Sequence, residues 1–354
     1  MIHSSYRHRW LRRSRKWNSV KVLRLCIPIL LFCLYNLRFF VLQAKTLVGD
    51  SSPCRLRVVH VSNLSRNDLF DPSCGCSSRE TLISAYYGLG SFSKHSARDF
   101  QAWNSRFLKL PDNMVIFSDR ITIGGLRNQR LHSRGCTVLV DDRLPDTHLG
   151  ININWYEQYE LDPEKEYHSK ELYVIWGQKS IWLEQVSRFN PFGSTHFFWT
   201  DMGQFRDGTF LRNFKRPNER WVQNVEFIPD CTMALLAIGK FSVHELSSKG
   251  TVVLSSGKIR LGGGNFGGDA CAVEKWRHLY LEMLQKYIQA GAFAGKDQPV
   301  YSSICLQNRD ACFIVFGPAV QEADDVWFAM QPVLHGITDP VPEYHMRNDL
   351  RSQW

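Results

Sequence analysis

Phe197-Phe198-Trp199-Thr200-Asp201-Met202-Gly203 is an aromatic, apolar run that hands one acid to a turn. With Thr195 and His196 before it, the run predicts a buried strand over 195–200 that ends at Asp201. An acid at that place suits a site for a nucleoside diphosphate and its metal. A diphosphate leaving group develops negative charge, and a divalent cation held by oxygen ligands neutralises it. Oxygen ligands favour Mn2+ or Mg2+. Two acids spaced D-x-D are the familiar form. Here Gly203 takes the second place, so Asp201 is the only carboxylate in the motif. The plain alternative is an Asp that caps the following turn.

The same grammar repeats on both sides of this run. Thr81–Tyr87 predicts a strand stopped by Gly88 and Gly90. Met114–Asp119 predicts a second, ending on an acid, and Thr137–Val140 a third, followed by Asp141 and Asp142. Helical patterns occupy 96–109 and 168–188. Further strands are expected near 225–228, 233–238, 251–254 and 313–316. A Gly-rich turn is expected at 262–268, and helices over 272–290 and from Gly295-Lys296-Asp297-Gln298 onward. Apolar strands alternating with helices argue for a mainly parallel sheet covered on both faces. Ligands in such sheets sit beyond the carboxyl ends of the strands, which makes Asp119 and Asp201 site candidates.

Other groups carry weaker signals. A D-x-G motif needs ligands from elsewhere, and His335 in Val333-Leu334-His335-Gly336 is a candidate, with His345 behind it. A lone histidine is more often a core or surface residue. Gly262–Gly268 holds a literal G-x-G-x-x-G. The acid twenty residues on, Glu282, falls inside a helix, so the dinucleotide-binding fingerprint of an oxidoreductase lacks its context. A glycine turn that lets backbone approach a sugar is preferred. Asp297 and Gln298 at a helix start read either as an acid and amide touching a substrate or as plain N-capping. Lys179 is a candidate for the diphosphate; a surface lysine is the bland reading.

The formal charge of +9 looks like a nucleic-acid signal until it is located. Residues 1–45 hold ten Lys/Arg and no acid, which leaves 33 basic and 34 acidic residues in the remainder. A near-neutral remainder excludes nucleic acid as a partner. The basic tail 1–24 precedes an apolar run at 25–42, interrupted by Asn36 and Arg38. This predicts a transmembrane signal anchor with the N-terminus in the cytoplasm and the remainder lumenal; the alternative is a cleaved signal peptide. Beyond the span lie eight cysteines, enough for four disulfides, with no C-x-x-C pair and no connectivity assigned. Asn63-Leu64-Ser65 is a glycosylation sequon. Residues 43–78 read as a stem or linker, 79–345 as the catalytic domain and 346–354 as a tail.

Taken in order, several segments resemble the HtrL/YibB-type glycosyltransferase family. They are Ser84–Tyr87, Pro111–Asp119, Glu171–Trp176 with Lys179, Asn190–Phe192 leading into Phe198–Arg206, Gly263–Gly268 and Gly295–Gln298. The resemblance spans roughly residues 80–320, and more distantly the glycogenin-like group. It implies an α/β, GT-A-like nucleotide-diphospho-sugar transferase sandwich, here preceded by one transmembrane helix. The implied reaction moves a sugar from a nucleotide-sugar donor to a glycan, glycoprotein or glycolipid acceptor, usually with Mn2+ (or Mg2+). On this sequence Asp201 and His335 would hold the metal. Ala85, Tyr86, Asp119 and Lys179 would meet the nucleotide and diphosphate. Gly267 and Gly268 would shape the acceptor side, and Asp297 and Gln298 would be catalytic, with a lean toward retention. The anchor resembles the layout of a Golgi, type II membrane enzyme. Two rivals stand beside this reading: a glycan-binding membrane protein with the same fold but no turnover, and a membrane-anchored NAD(P)-dependent oxidoreductase.

Overall fold

The computed structural model describes residues 55–64, 72–89, 96–206, 219–242, 244–245, 257–316 and 325–338. The chain divides into units 1–51 and 52–354, and all described residues belong to the second. The expected tail, anchor 25–42, strand 251–254, His345 and segment 346–354 lie outside the described residues. Among the described residues no helix is long and apolar enough to cross a membrane.

Eight strands form one sheet: β1 (Leu56–His60), β2 (Glu80–Ala85), β3 (Met114–Ser118), β4 (Thr137–Asp141), β5 (His196–Thr200), β6 (Met233–Ala237), β7 (Leu261–Asp269) and β8 (Cys312–Val315). Their order is β1-β4-β3-β2-β5-β7-β6-β8. All neighbours are parallel except β7, which runs antiparallel to both β5 and β6. The mainly parallel α/β sheet is therefore present. Within the expected linker, Leu56–His60 is an edge strand paired with β4. One strand expectation and one turn expectation fail. Residues 225–228 form a turn, and the Gly-rich run expected as a turn is strand β7.

The strands alternate between two cores, as pleating requires. Ile83, Val115, Phe117, Val138, Phe197 and Trp199 face one core. Leu82, Met114, Ile116, Leu139 and Phe198 face the other. The first is covered by α5 (Lys170–Phe189), α6 (Ala270–Gln289) and α7 (Asp297–Gln307). The second is covered by α1 (Ala97–Phe107), α2 (Arg120–Arg130) and α8 (Met330–Leu334). Between Leu161 and α5 the chain makes only loops; before them come the short helices α3 (His148–Asn152) and α4 (Trp155–Leu161).

α5 carries the helix that matters most for the site. Ser169 caps it by accepting from the Leu172 amide, and Asn190 ends it in the left-handed region at φ 44°, just before Pro191. Buried side chains occur nearly all round it. Trp182 lies between Phe117 and Trp199, stacked at 5.0 and 6.0 Å, which fixes α5 over the ends of β3 and β5.

The strand order reverses at β2. Its next two strands lie to one side and β5 to the other. At such a switch the connections part and leave a crevice at the carboxyl ends, here those of β2 and β5. Ala85 and Asp201 follow the paired positions Ile83 and Trp199 by two residues each, so they meet at this rim.

Candidate active site

Asp201 leaves β5 with its amide bound to the Gly264 carbonyl at 2.8 Å. The Trp199 indole donates to Asp201 Oδ1 at 2.7 Å. Although Asp201 stands before a 3-10 turn at Met202–Gln204, its side chain makes no capping bond. Plain capping therefore does not account for this carboxylate. Asp119 is the contrast: it accepts from the amides of Ile121 and Thr122, each at 2.9 Å, and from the Thr122 hydroxyl at 2.9 Å. Its carboxylate is committed to capping α2.

Lys179 stands on α5 three residues after Trp176, one turn along the same face. Its Nζ lies 3.1 Å from Asp201 Oδ1 and 2.9 Å from Asp297 Oδ2. It donates to the Gly263 carbonyl at 2.9 Å, and sits 5.6 Å from the centre of the Trp199 ring. The lysine side chain is 2% exposed. The ammonium donates hydrogen bonds to Asp201 and Gly263, and Asp297 faces it as an ion pair. This corrects the expectation that Lys179 meets the diphosphate: it is an internal cation. Burial pulls its pKa down, but Asp201 and Asp297 outweigh that and hold it above the usual lysine value. Burial also pushes Asp201 up against the opposing pull of Lys179. Asp201 is walled in by protein yet open on one side, with its side chain 40% exposed. Asp297 is shut in at 5%. With both carboxylates ionised, the cluster carries one negative charge in excess.

Asp297 opens α7 without capping it. Its carboxylate lies against Gly263, where an added Cβ would come within 2.3 Å of Oδ2. Gly263 belongs to a bulge in β7: Leu235 pairs with Phe266 but Ala237 pairs with Leu261, so the residues between them on β7 outnumber those on β6. Bulges re-aim backbone beside active sites. This one turns the carbonyls of Gly263 to Lys179 and of Gly264 to Asp201. The G-x-G-x-x-G sequence is thus strand and bulge, not a loop before a helix that cradles pyrophosphate.

The remaining candidates divide. Ala85 and Tyr86 lie at the end of β2, half-buried, with the Tyr86 amide on the Phe117 carbonyl at 3.0 Å. Gln298 is half-buried on the first turn of α7 beside Asp297. Gly267 and Gly268 depart from the expected acceptor loop. They are buried in β7, where an added Cβ would meet the Phe197 carbonyl oxygen at 2.3 Å and the Thr232 carbonyl oxygen at 2.6 Å respectively. Their reason is close strand packing. His335 ends α8 and is buried, with Nδ1 on the Trp221 carbonyl oxygen at 2.9 Å. One turn earlier, Gln331 bonds to the Gln204 carbonyl at 2.5 Å, which docks α8 on the turn after Asp201. Among the described residues no three His, Cys, Asp or Glu side chains gather as a metal site.

Two parts of the site had little sequence signal. The carbonyl of Gly263 acts through backbone, and the role of Lys179 shows only in the apolar company it keeps on α5. A second polar cluster reaches the start of α7 through Lys296. Asp162 accepts from the Tyr173 hydroxyl at 2.6 Å and lies 2.7 Å from His168 Nδ1, and Lys296 is paired with Glu164.

Residues 154–328 match the family model described as "Bacterial protein of unknown function (HtrL_YibB)". This stretch, just under half of the chain, is similar to the HtrL/YibB family. Lys179, Asp201, Gly263 and Asp297 all fall inside the HtrL/YibB region, whereas Ala85, Tyr86, Asp119 and His335 lie outside it. No curated protein matches the sequence. Among solved structures, mouse xyloside xylosyltransferase 1 is similar at 13% identity, over 67% of this chain and 84% of that one, with a TM-score of 0.38. Core-mannan synthase A of Aspergillus fumigatus, in a Mn/GDP form, is similar at 12% identity, over 75% and 79%, also at 0.38. At those TM-scores the likenesses assign neither residues nor activity to the HtrL/YibB region.

Proposed function

We propose that the protein is a glycosyltransferase that moves a sugar from a nucleotide-sugar donor to a glycan or glycoconjugate hydroxyl. The observation that carries this reading is the partly open Asp201 carboxylate at the sheet's switch point, with Asp297 fixed behind it. The crevice between β2 and β5 suits the nucleotide, bordered by Ala85 and Tyr86 and by the end of β3 at Asp119. Asp297 and Gln298, at the start of α7, are assigned to the donor sugar.

The donor set fits a divalent cation of one kind. Mg2+ and similar ions are commonly held by one or two carboxylates together with substrate phosphates and water, not by an all-protein cage. A single outward carboxylate in a net-negative cluster meets that description, and Asp201 is the residue assigned to it. His335 has its Nδ1 on a backbone carbonyl, the arrangement that orients a metal-binding histidine, and is assigned as the second ligand. When bound, such a cation would offset charge on the departing diphosphate. The chain's own part is to hold Asp201 rigid through Trp199, Lys179 and the Gly264 carbonyl. Neither acid is placed as a general base, since Asp297 is enclosed by Lys179 and Gly263 and Asp201 is assigned to the cation. We therefore assign retention of configuration, because inversion needs a positioned base.

Cys76–Cys136, Cys231–Cys271 and Cys305–Cys312 are disulfide-bonded, and such bonds persist in oxidising compartments. Asn63 of the sequon is exposed. Both support a lumenal placement, and we assign residues 25–42 as the anchor of a Golgi-type enzyme. The deciding experiment incubates purified full-length protein with a panel of sugar nucleotides, with and without Mn2+. Donor hydrolysis or transfer is expected. Absence of both, and of any donor binding, would overturn the reading in favour of a non-catalytic glycan-binding protein.

A further inference from the structure

We propose that Lys179 is an internal counter-ion that positions Asp201 and Asp297 and sets the cation affinity of the exposed Asp201 carboxylate. A divalent cation is then held firmly only together with a nucleoside diphosphate. The inference rests on the transferase reading for its nucleotide half, while the counter-ion half stands on geometry alone.

The three acceptors of Lys179 come from three parts of the chain: the end of β5, the bulge of β7 and the start of α7. The lysine itself comes from a fourth, α5. At 2% exposure, bonded to Asp201 and Gly263 and ion-paired with Asp297, it is shielded from an incoming phosphate. Its charge is instead felt through Asp201. A cation arriving alone meets one open carboxylate, with His335 its only other assigned protein ligand, and that carboxylate's field is partly cancelled by an ammonium 3.1 Å away. A nucleoside diphosphate arriving alone meets a cluster with an excess negative charge. Together, the cation offsets most of the diphosphate's charge, so the nucleotide meets far less repulsion from the cluster than it does alone. Asp297 enters the same balance from behind, since it lies 2.9 Å from the shared ammonium and draws off part of its field.

This makes a prediction of sign that a merely structural lysine does not. Lys179→Met removes the counter-charge, so Mn2+ alone should bind more tightly, by about tenfold or more. Asp297→Asn leaves Lys179 acting undivided on Asp201, so Mn2+ should bind more weakly, again by about tenfold, although Asp297 lies behind the lysine. The experiment titrates full-length protein with Mn2+ alone, with UDP or GDP alone in EDTA, and with Mn2+ and nucleotide together. Affinity is read by calorimetry and by the paramagnetic signal of free Mn2+. Asp201→Asn serves as the control that the ion is at this site, and thermal melting checks that each variant is folded.

For the wild type, Mn2+ with nucleotide should bind at least about tenfold more tightly than Mn2+ alone, and nucleotide in EDTA should not bind. Parallel weakening in Lys179→Met and Asp297→Asn, or no change in either, would overturn the counter-ion role. Equal nucleotide binding in EDTA would overturn the coupling. Should Lys179→Met fail to fold, Asp297→Asn decides alone: weaker Mn2+ binding supports the proposal, and unchanged or tighter binding sinks it. If no nucleotide binds the wild type even with Mn2+, the transferase reading fails, while the opposite shifts for Mn2+ alone still test Lys179.

Discussion

Asp201 and Gly263 show how much of this site rests on single residues. Asp201→Asn keeps an acceptor for the Trp199 indole but removes the charge that faces the crevice. Transfer should fall by about 100-fold or more, the size of effect seen when one electrostatic group is removed from an active site. The melting temperature should move little by comparison, which an activity assay beside a thermal melt would check. Gly263 tests the enclosure of Asp297. A methyl group there would come within 2.3–2.7 Å of the carboxylate atoms, so Gly263→Ala must displace Asp297 from Lys179. We expect transfer to collapse, with a stability loss of about 1–3 kcal/mol, as for other overpacked cores. Gly267→Ala would instead drive its methyl into the backbone of β5. It should cost more stability than Gly263→Ala in urea titrations, because strand pairing itself must shift. A reversed order would show that the Gly263 contact is the more rigid of the two.

Strand β7 is the element on which sequence and structure part. Its Leu-Gly-Gly-Gly-Asn-Phe-Gly-Gly-Asp sequence has low β propensity, and a turn is the natural local reading. The neighbours decide otherwise: β5 and β6 supply partners on both edges, and the glycines allow them to close in. By contrast β2, β3, β4, β5, α6 and α7 were legible, because each is a continuous apolar run or a helical stripe bounded by turn residues. β1 was hidden in a polar stretch, since as an edge strand it buries mainly Leu56. Asp201 was legible as a strand-end acid. Lys179 was legible as a candidate but not in its role, because no local pattern says that two distant carboxylates converge on it. The start of β7 also carries a pH-sensitive tie. Arg260 forks onto Glu245 with two 3.1 Å bonds. Burial alone would raise the Glu245 pKa, but Arg260, the Ser242 amide and Lys258 outweigh it and draw it down to about 2 from 4.5. A depressed carboxylate stabilises the fold above its unfolded value and loses that contribution as pH falls from 4.5 toward 2. The urea midpoint of the wild type should therefore drop more steeply over this range than that of Glu245→Gln. Parallel curves would mean that the pair contributes nothing.

Across the whole molecule, the HtrL/YibB region supplies the acid cluster but only half of the sheet. Strands β1 to β4, with Ala85, Tyr86 and Asp119, precede residue 154. The crevice therefore depends on how firmly the first half is held to the second. Disulfides brace both halves. Cys231–Cys271 pins the start of β6 to α6, and Cys305–Cys312 joins α7 to β8. Cys76–Cys136 links the approach to β2 with the approach to β4, its cysteines 60 residues apart with Cα atoms at 5.5 Å. Asn113 latches the same junction, donating to the Cys76 carbonyl at 2.6 Å and accepting from the Cys136 amide at 2.8 Å. Closing a loop of that length restricts the unfolded chain by about 4 kcal/mol in the chain-entropy model. Because Asn113 preserves the junction in the folded state, the loss in Cys76→Ala/Cys136→Ala should arise mostly in the unfolded state. We expect the double variant to fold and to keep its transfer activity below its lowered midpoint, with unfolding free energy reduced by about 4 kcal/mol. Denaturant titration of oxidised wild type against the double variant measures the loss. A variant of unchanged stability, or one that folds but no longer binds nucleotide, would show that the bridge shapes the crevice instead of merely limiting the unfolded chain.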